Sequence, residues 1–513
     1  MKGKVYLVGA GPGDPKLITI RGLEALRRSD AIVYDRLANP RLLQEAAPGA
    51  ERIYVGKLPD RHTMPQEEIN RLLVELALSG KTVTRLKGGD PCVFGRGGEE
   101  AEALAANGIE FEIIPGVTSA TAVPAYAGIP VTHRDYNSAF TVITGHEKPE
   151  KLDSMIAWNQ VARLNGTLVF LMGVSKVEMI ARQLMKHGLD PATPVALVRW
   201  GTLADQATLT GTLADIAEKV RQANFQPPAV IVVGEVVRLR DRLMWVEKKP
   251  LFGRRVLVTR ARDQARELCE RIDELGGEAV LLPVIRIRPP RDPEVLRQLD
   301  AALRDLESFD WVVFTSVNGV ETFFERLRLL KVDIRSMHRA RIAAVGPKTR
   351  EALEQRGLYP EEMPGDYRAE GLLEVMRPRL VPGERILLAK GDLARSILPD
   401  TLRGWGMQVT EAVTYENVLS DEYADEVIPM LKRSEIDVIT FTSPSTVRNL
   451  LEVIRNRGEP DPVKVIGDAK IACIGPVTAE TAHKSGLKVH YLARESTVDS
   501  LLEAIIEGER QQT

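Results

Sequence analysis

The stretch RLKGGDPCVFGRGGEE, Arg85 to Glu100, concentrates the residue types from which a small-molecule site is built. A strand-like run, KTVTRLK, breaks at Gly88 and Gly89, places a carboxylate at Asp90, and turns at Pro91 before a second glycine cluster, Gly95, Gly97 and Gly98. Glycine lacks a Cβ and enters the left-handed backbone region cheaply, so two such clusters around one acid suggest a ligand cradle. An ordinary strand-to-helix turn uses the same residues. Two ionisable groups stand where other strand patterns end, Asp35 in YDRL and Lys57 in RIYVGK, so both could point into one site. In isolation they read equally well as a solvated acid and a solvated lysine. The segment PGVTSATAVPAYAGIP, 115–130, adds the hydroxyls of Thr118 and Ser119, which can cap a helix or bond a ligand.

Bringing these residues together is the task of an α/β frame. In open α/β sheets the carboxyl ends of the strands face the binding crevice. Residues 4–8 form a strand pattern that breaks at Gly9, Gly11 and Gly13, a helix follows from Thr19 to Leu26, and AIVYD (31–35) is a second strand. This approaches the dinucleotide fingerprint, but Asp14 occupies the third glycine position, and Pro12 and Pro15 remove amide donors. Helices are expected at 67–78, in EEAEALAANG, at 177–187 and at 216–221, with strands in FEIIP, FTVITGH, TLVFLMG, PVALVRWG and PAVIVVGEVV. The pattern dissolves in LMWVEKKPLF, 243–252, which marks a domain boundary.

A length of 513 residues exceeds one hydrophobic core. Hydrophobic residues at 44%, charged at 27% and aromatic at 5% describe a soluble α/β protein. Lys+Arg 69 against Asp+Glu 71 leave a net charge of −2, so no overall basic field argues for nucleic acid or an acidic membrane. Cys92, Cys269 and Cys473 are far apart and odd in number, which excludes a disulfide framework and paired zinc spacing and fits a reducing cytoplasm. The amino terminus is too short in apolar residues for a signal peptide, and no run approaches the ~18 residues of a membrane span.

VGAGPGDP, YDRL, VGK, RLKGGDPCVFGRGGEE, PGVTSA, AGIPVTHRD, TGH, FLMG and PAVIVVGEVV follow one another in residues 3–245, and in that order they resemble the tetrapyrrole methylases, above all the uroporphyrinogen-III C-methyltransferases. The resemblance implies S-adenosylmethionine in a cleft between two α/β lobes, touched by Pro12, Gly88, Gly89, Asp90, Val93, Thr118, Ser119, Met172 and Gly201. It makes Asp35 the proton acceptor and Lys57 the donor, and it implies a homodimer through this half. Arg36, Arg134 and Arg96 are candidates to pair the substrate's carboxylates, with surface solvation as the competing reading.

From Gly253 the chain starts again and repeats itself. RRVLVTRARDQARELCERIDELGGEAVLLPVI aligns with ERILLAKGDLARSILPDTLRGWGMQVTEAVTY, while WVVFTSVNGVETF and RIAAVGPKTREAL recur as VITFTSPSTVRNL and KIACIGPVTAETA. Two related α/β lobes follow. The FTS motifs put Thr315, Ser316, Thr442 and Ser443 at helix starts, where free amides hold anions or hydroxyls simply cap. The order of VTR, FTSVNGV, AVGPKT, TYE, FTSPSTV and CIGPVTAETA resembles the uroporphyrinogen-III synthases, and Tyr415 matches that family's tyrosine in the cleft.

The fold expected is therefore α/β throughout, a two-lobed tetrapyrrole methylase fold at 1–246 followed by a two-lobed synthase fold with an internal repeat at 251–513. Its lobes are expected at 251–287 with 418–513, and at 288–417. The implied function is bifunctional: closure of hydroxymethylbilane to uroporphyrinogen III with inversion of the last ring, then methylation to precorrin-2 for siroheme or cobalamin. The alternatives are a methyltransferase fused to a noncatalytic two-lobed sensor, or a nicotinamide-dependent oxidoreductase built on GAGPGD.

Overall fold

A computed structural model describes residues 2–47, 49–56, 64–145 and 156–511. The chain divides into two units, Met1–Arg255 with Arg271–Glu278, and Val256–Glu270 with Ala279–Thr513.

In the first unit β1 (Lys4–Gly9), β2 (Ala31–Tyr34), β3 (Glu51–Tyr54), β4 (Val83–Lys87) and β5 (Glu110–Ile114) form one sheet in the order β3-β2-β4-β1-β5. All four pairings are parallel. The helices of this lobe are α1 (Ile20–Arg28), α2 (Pro40–Leu43), α3 (Gln66–Leu78) and α4 (Gly97–Ala106). Thr19 starts α1 by accepting the Gly22 amide at 3.1 Å, as the sequence suggests. Val83 of β4 packs with Ile69 and Leu73 of α3 and Leu104 of α4, and Leu86 with Val8, Leu26 and Ile32 on the opposite side, so β4 is covered on both faces. Parallel strands put all their carboxyl ends on one edge. The loops that carry Gly11, Asp35, Gly88–Asp90 and Gly116–Ser119 leave the sheet there.

The second sheet holds β6 (Phe140–Thr144), β7 (Thr167–Leu171), β8 (Pro194–Arg199), β9 (Ala207–Thr212) and β10 (Ala229–Val233), ordered β6-β7-β10-β8-β9. The strand β10 runs antiparallel to both neighbours, and β9 is antiparallel to β8. Sequence reading does not anticipate β9, because its ATLTGT has no fully buried position and so no clear apolar alternation. Nor does it anticipate the direction of β10, since burial on both faces erases the pattern that marks an antiparallel strand. The helix α5 (Ser119–Tyr126) packs against this sheet, with Ala120 and Val123 among Val169, Val198 and Val230.

In the second unit β11 (Arg255–Val258), β12 (Glu278–Leu281), β18 (Val438–Phe441), β19 (Lys470–Cys473) and β20 (Val489–Leu492) make one sheet, ordered β12-β11-β18-β19-β20. The other contains β13 (Ile285–Arg288), β14 (Trp311–Phe314), β15 (Arg341–Ala344), β16 (Arg385–Gly391) and β17 (Gln408–Leu419), ordered β13-β17-β16-β14-β15. The repeat is visible as strand pairs in equivalent places, β14 beside β15 and β18 beside β19, both parallel. The lobe limits expected at 287/288 and 417/418 fall inside paired strands. There β13 and β17 run antiparallel from Ile285↔Leu419 to Arg288↔Glu416, so the links between the lobes are paired strands. Among the described residues no helix is long and apolar enough to cross a membrane.

Candidate active sites

The turn after β4 is held by its neighbour. The Gly89 amide donates to the Gly11 carbonyl at 2.7 Å, and the Gly11 amide donates to the Gly89 carbonyl at 3.2 Å. The two glycines are needed for different reasons. Gly89 has φ +70, and a Cβ there would meet nothing nearer than the Ser119 amide nitrogen at 3.7 Å; a Cβ on Gly88 would lie 2.5 Å from the Cβ of Leu37. Asp90 does not present a free carboxylate. One oxygen accepts the Cys92 amide at 2.7 Å and the other the Gly116 amide at 3.0 Å, tying the β4 loop to the β5 loop. The second glycine cluster is needed by the turn itself. A Cβ on Gly95 or Gly97 would sit 2.6 or 2.7 Å from the Pro91 carbonyl oxygen, so both serve the turn into α4, whereas Gly98 faces open space.

Thr118 caps α5 through the Ala120 amide at 3.3 Å, leaving Ser119 as the first helical residue opposite Gly89. Val93 packs against the α5 cluster, and a Cβ on Gly201 would fall 2.5 Å from Val123 Cγ1, so the loop after β8 closes onto α5. Pro12 stands between Gly11 and Gly13 in the β1 loop, which is fixed at its far end by Asp14. Its carboxylate accepts the Lys16 amide at 2.9 Å and the Tyr126 hydroxyl at 3.0 Å, and its own amide donates to Thr202 Oγ1 at 2.8 Å. Burial, and then Asp14, push the Tyr126 phenol above its ordinary value. Met172, Trp200 and Thr202 have φ of 57, 46 and 76, a region costly for residues with a Cβ, and Met172 is 52% exposed. Backbone outliers of this kind gather at functional sites.

Asp35 follows β2 and is partly exposed. Oδ1 accepts the Leu37 amide at 3.0 Å, and Oδ2 accepts Arg85 Nη2 at 3.2 Å. Lys57 lies outside the described residues. The Arg36 guanidinium is 5.6 Å from the centre of the Trp200 ring, Arg134 is exposed, and Arg96 is paired with Glu99 through two hydrogen bonds, so it is not an open cation. Three charged residues of the 85–100 stretch escape sequence reading: Arg85 and Lys87, each 4% exposed, and Glu100, at 0%. Their signal was present, two cations inside a strand that parallel packing buries.

In the second unit the structure brings Thr315, Ser316 and Tyr415 to one cavity of about 360 Å³, also bordered by Tyr367, Lys390 and Asn417. The Tyr415 ring is 8% exposed, and its hydroxyl lies 3.1 Å from Ser316 Oγ. Ser316 caps the helix Val317–Leu330 by accepting the Gly319 amide at 3.0 Å, while Thr315 Oγ1 donates to the Ala389 carbonyl at 3.3 Å. Gly391 makes room for the tyrosine: its Cβ would fall 2.6 Å from the ring, at the point where the β16–β17 register shifts. Thr442 and Ser443 do not join them. They follow β18 in the other sheet, where Ser443 forms a capping box with Thr446.

Two family models match the chain: tetrapyrrole (corrin/porphyrin) methylases over residues 4–217, and uroporphyrinogen-III synthase HemD over residues 266–503. The chain is 38% identical over 509 residues to the porphyrin biosynthesis protein HemD of Ruminiclostridium josui, covering 98% of each. It is 54% identical over 241 residues to the S-adenosyl-L-methionine-dependent uroporphyrinogen III methyltransferase of Methanosarcina barkeri, covering 47% of this chain and 94% of that one. Among solved structures, uroporphyrin III C-methyltransferase of Thermus thermophilus is 41% identical, covering 46% of this chain and 100% of that one with a TM-score of 0.40. The chain belongs to the family in which a tetrapyrrole methylase domain is followed by a uroporphyrinogen-III synthase domain.

Proposed function

We propose that residues 1–246 methylate uroporphyrinogen III to precorrin-2, and that residues 251–513 make that substrate by closing hydroxymethylbilane. The observation that carries the first assignment is the meeting of a glycine turn, a helix start and Asp35 on one edge of a parallel sheet. The groups present fit S-adenosylmethionine: an open space beside Gly89 facing the start of α5, and the exposed apolar Met172. Pro12, Gly88, Gly89, Val93, Thr118, Ser119, Met172 and Gly201 would hold it, with Asp90 acting by fixing the turn. When bound, it supplies a methyl group already activated on a sulfonium, so the protein's part is positioning within about 3–3.5 Å of a pyrrole carbon.

Forming the new carbon–carbon bond leaves the macrocycle positively charged, and loss of a proton restores it. Asp35 takes that proton on the lone pairs that Leu37 and Arg85 leave free. Lys57 is its proposed complement, and Arg36 and Arg134 pair carboxylates at the rim. In the second unit Tyr415 and Ser316 present hydroxyls to the reacting ring as water leaves and the last ring inverts, with Lys390 close by. Thr442 and Ser443 would contact substrate only from the other lobe. The proposal includes a homodimer through the first half and a place in the cytoplasm.

The test supplies the full chain with hydroxymethylbilane and S-adenosylmethionine and follows products by mass. Precorrin-2 is expected. In Asp35→Asn, uroporphyrinogen III should accumulate while methylation falls about 100-fold with S-adenosylmethionine binding unchanged. Wild-type methylation in that variant removes Asp35 from the mechanism, and formation of only the uninverted isomer in the wild type gives the second unit to the sensor reading.

A further inference from the structure

The strand β4 buries two cations where a parallel sheet ordinarily buries apolar residues. Both reach one carboxylate. Glu100 Oε1, on α4, accepts Lys87 Nζ at 2.6 Å, Arg85 Nε at 3.3 Å and Gln66 Nε2 at 3.0 Å, while its Oε2 is buried without a hydrogen-bond partner. Arg85 is fixed further by the Leu86 and Val33 carbonyls at 3.1 and 3.4 Å. Burial, and then Arg85, hold the Lys87 ammonium below the ordinary lysine value. An ionic cluster this dry is a poor way to stabilise a core, because desolvation offsets most of the attraction and an apolar filling of equal volume does as well or better. One end of it is not dry: Arg85 Nη2 leaves the core and donates to Asp35 Oδ2 at 3.2 Å.

We infer that Glu100 and Lys87 are positioning residues for methyl transfer, acting through Arg85 to hold the Asp35 carboxylate in the orientation that receives the substrate's proton. This rests on the reading of Asp35 as the base. Arg85 is a long side chain whose rotamers would spread its contact to Asp35, and three fixed partners, the Glu100 carboxylate and the Val33 and Leu86 carbonyls, remove that freedom. Glu100 sits between the two cations, and with Asp35 at the outer end the cluster holds two cations and two carboxylates. With Leu37 fixing the other oxygen, the carboxylate is clamped at both ends before any substrate arrives.

The test is a double-mutant cycle on the full chain, using Glu100→Gln, Asp35→Asn and both together. Methyl transfer to uroporphyrinogen III, S-adenosylmethionine affinity and thermal unfolding are measured for each. Glu100→Gln keeps the shape and the Gln66 contact and removes the charge. Its kcat is expected to fall about 10- to 100-fold, with KM for S-adenosylmethionine unchanged. In the Asp35→Asn background the same change should cost little more, because what it positions is already gone. Multiplying losses would mean the cluster is only structural and would overturn the inference, as would unchanged kcat in Glu100→Gln. If Asp35→Asn itself turns over normally, the Asp35 reading fails and the inference falls with it. Should Glu100→Gln not fold, Arg85→Lys enters the same cycle. It keeps the buried charge and shortens the reach to Asp35, with the same outcomes deciding.

Discussion

Gly88 and Gly89 are adjacent, yet alanine at each should fail in a different way. At Gly89 the added methyl meets only ordinary contacts, the nearest at 3.7 Å, and the cost is conformational, since φ is +70. A left-handed residue with a Cβ costs about 1–2 kcal/mol, and for a unit of this size 1 kcal/mol is worth about 2–4 °C in Tm. At Gly88 the new methyl would sit 2.5 Å from Leu37 Cβ, against at least 3.4 Å for ordinary contact, so the two must part by about 1 Å. Leu37 cannot yield alone, because its amide binds Asp35 Oδ1 at 3.0 Å. A displacement of about 1 Å in a reacting group costs about 100-fold in rate. Gly88→Ala should therefore lower kcat for methyl transfer about 100-fold, and Gly89→Ala, whose methyl enters the space proposed for S-adenosylmethionine, should lower Tm and weaken S-adenosylmethionine binding. The assay is transfer of labelled methyl to uroporphyrinogen III, beside calorimetry and thermal melts. If Gly88→Ala keeps wild-type kcat, the turn does not support Asp35 through Leu37.

Tyr415→Phe, which deletes the hydroxyl facing Ser316, should cost about 0.5–1.5 kcal/mol of stability and slow bilane closure, leaving methyl transfer to supplied uroporphyrinogen III at the wild-type rate. Gly391→Ala should slow closure at least as much, because its methyl collides with the Tyr415 ring at 2.6 Å; a normal rate in that variant would put the ring's position outside the mechanism. Lys87 carries a pH signature. Its pKa in the folded protein is below 10.5, so just below pH 10.5 the unfolded chain binds more protons and unfolding free energy rises with pH. Denaturant melts should show wild type gaining on Lys87→Met as pH climbs toward 10.5, and parallel curves would contradict the lowered pKa.

Motifs that depend on backbone shape were legible in the sequence, and side chains that depend on tertiary partners were not. Gly88-Gly89 announced a tight turn because only glycine serves both its crowding and its φ, and Thr19 and Ser316 announced helix starts by their position before apolar periodicity. Asp90 was read as a ligand contact, and what sequence could not show is that two amides, one of them 26 residues away, also bind its carboxylate. Gly391 was passed over because the ring it accommodates belongs to another strand. The edge strand β9 had no apolar face to betray it.

The same distinction explains why the two FTS repeats have different surroundings. A duplicated strand-turn-helix keeps its cap, since capping is local, and Ser316 and Ser443 both accept an amide three residues on, from Gly319 and Thr446. What is not local diverges. The first copy faces β17, which continues past its partner β16 where the register shifts at Gly391, and there Ser316 meets Tyr415. The second copy's N3 residue is Thr446, whose hydroxyl returns to the Ser443 backbone and closes the capping box, which turns that helix start inward on itself. Duplication thus supplied two equivalent helix starts, and it is the asymmetric strand β17, not the repeated motif, that brings a tyrosine to one of them.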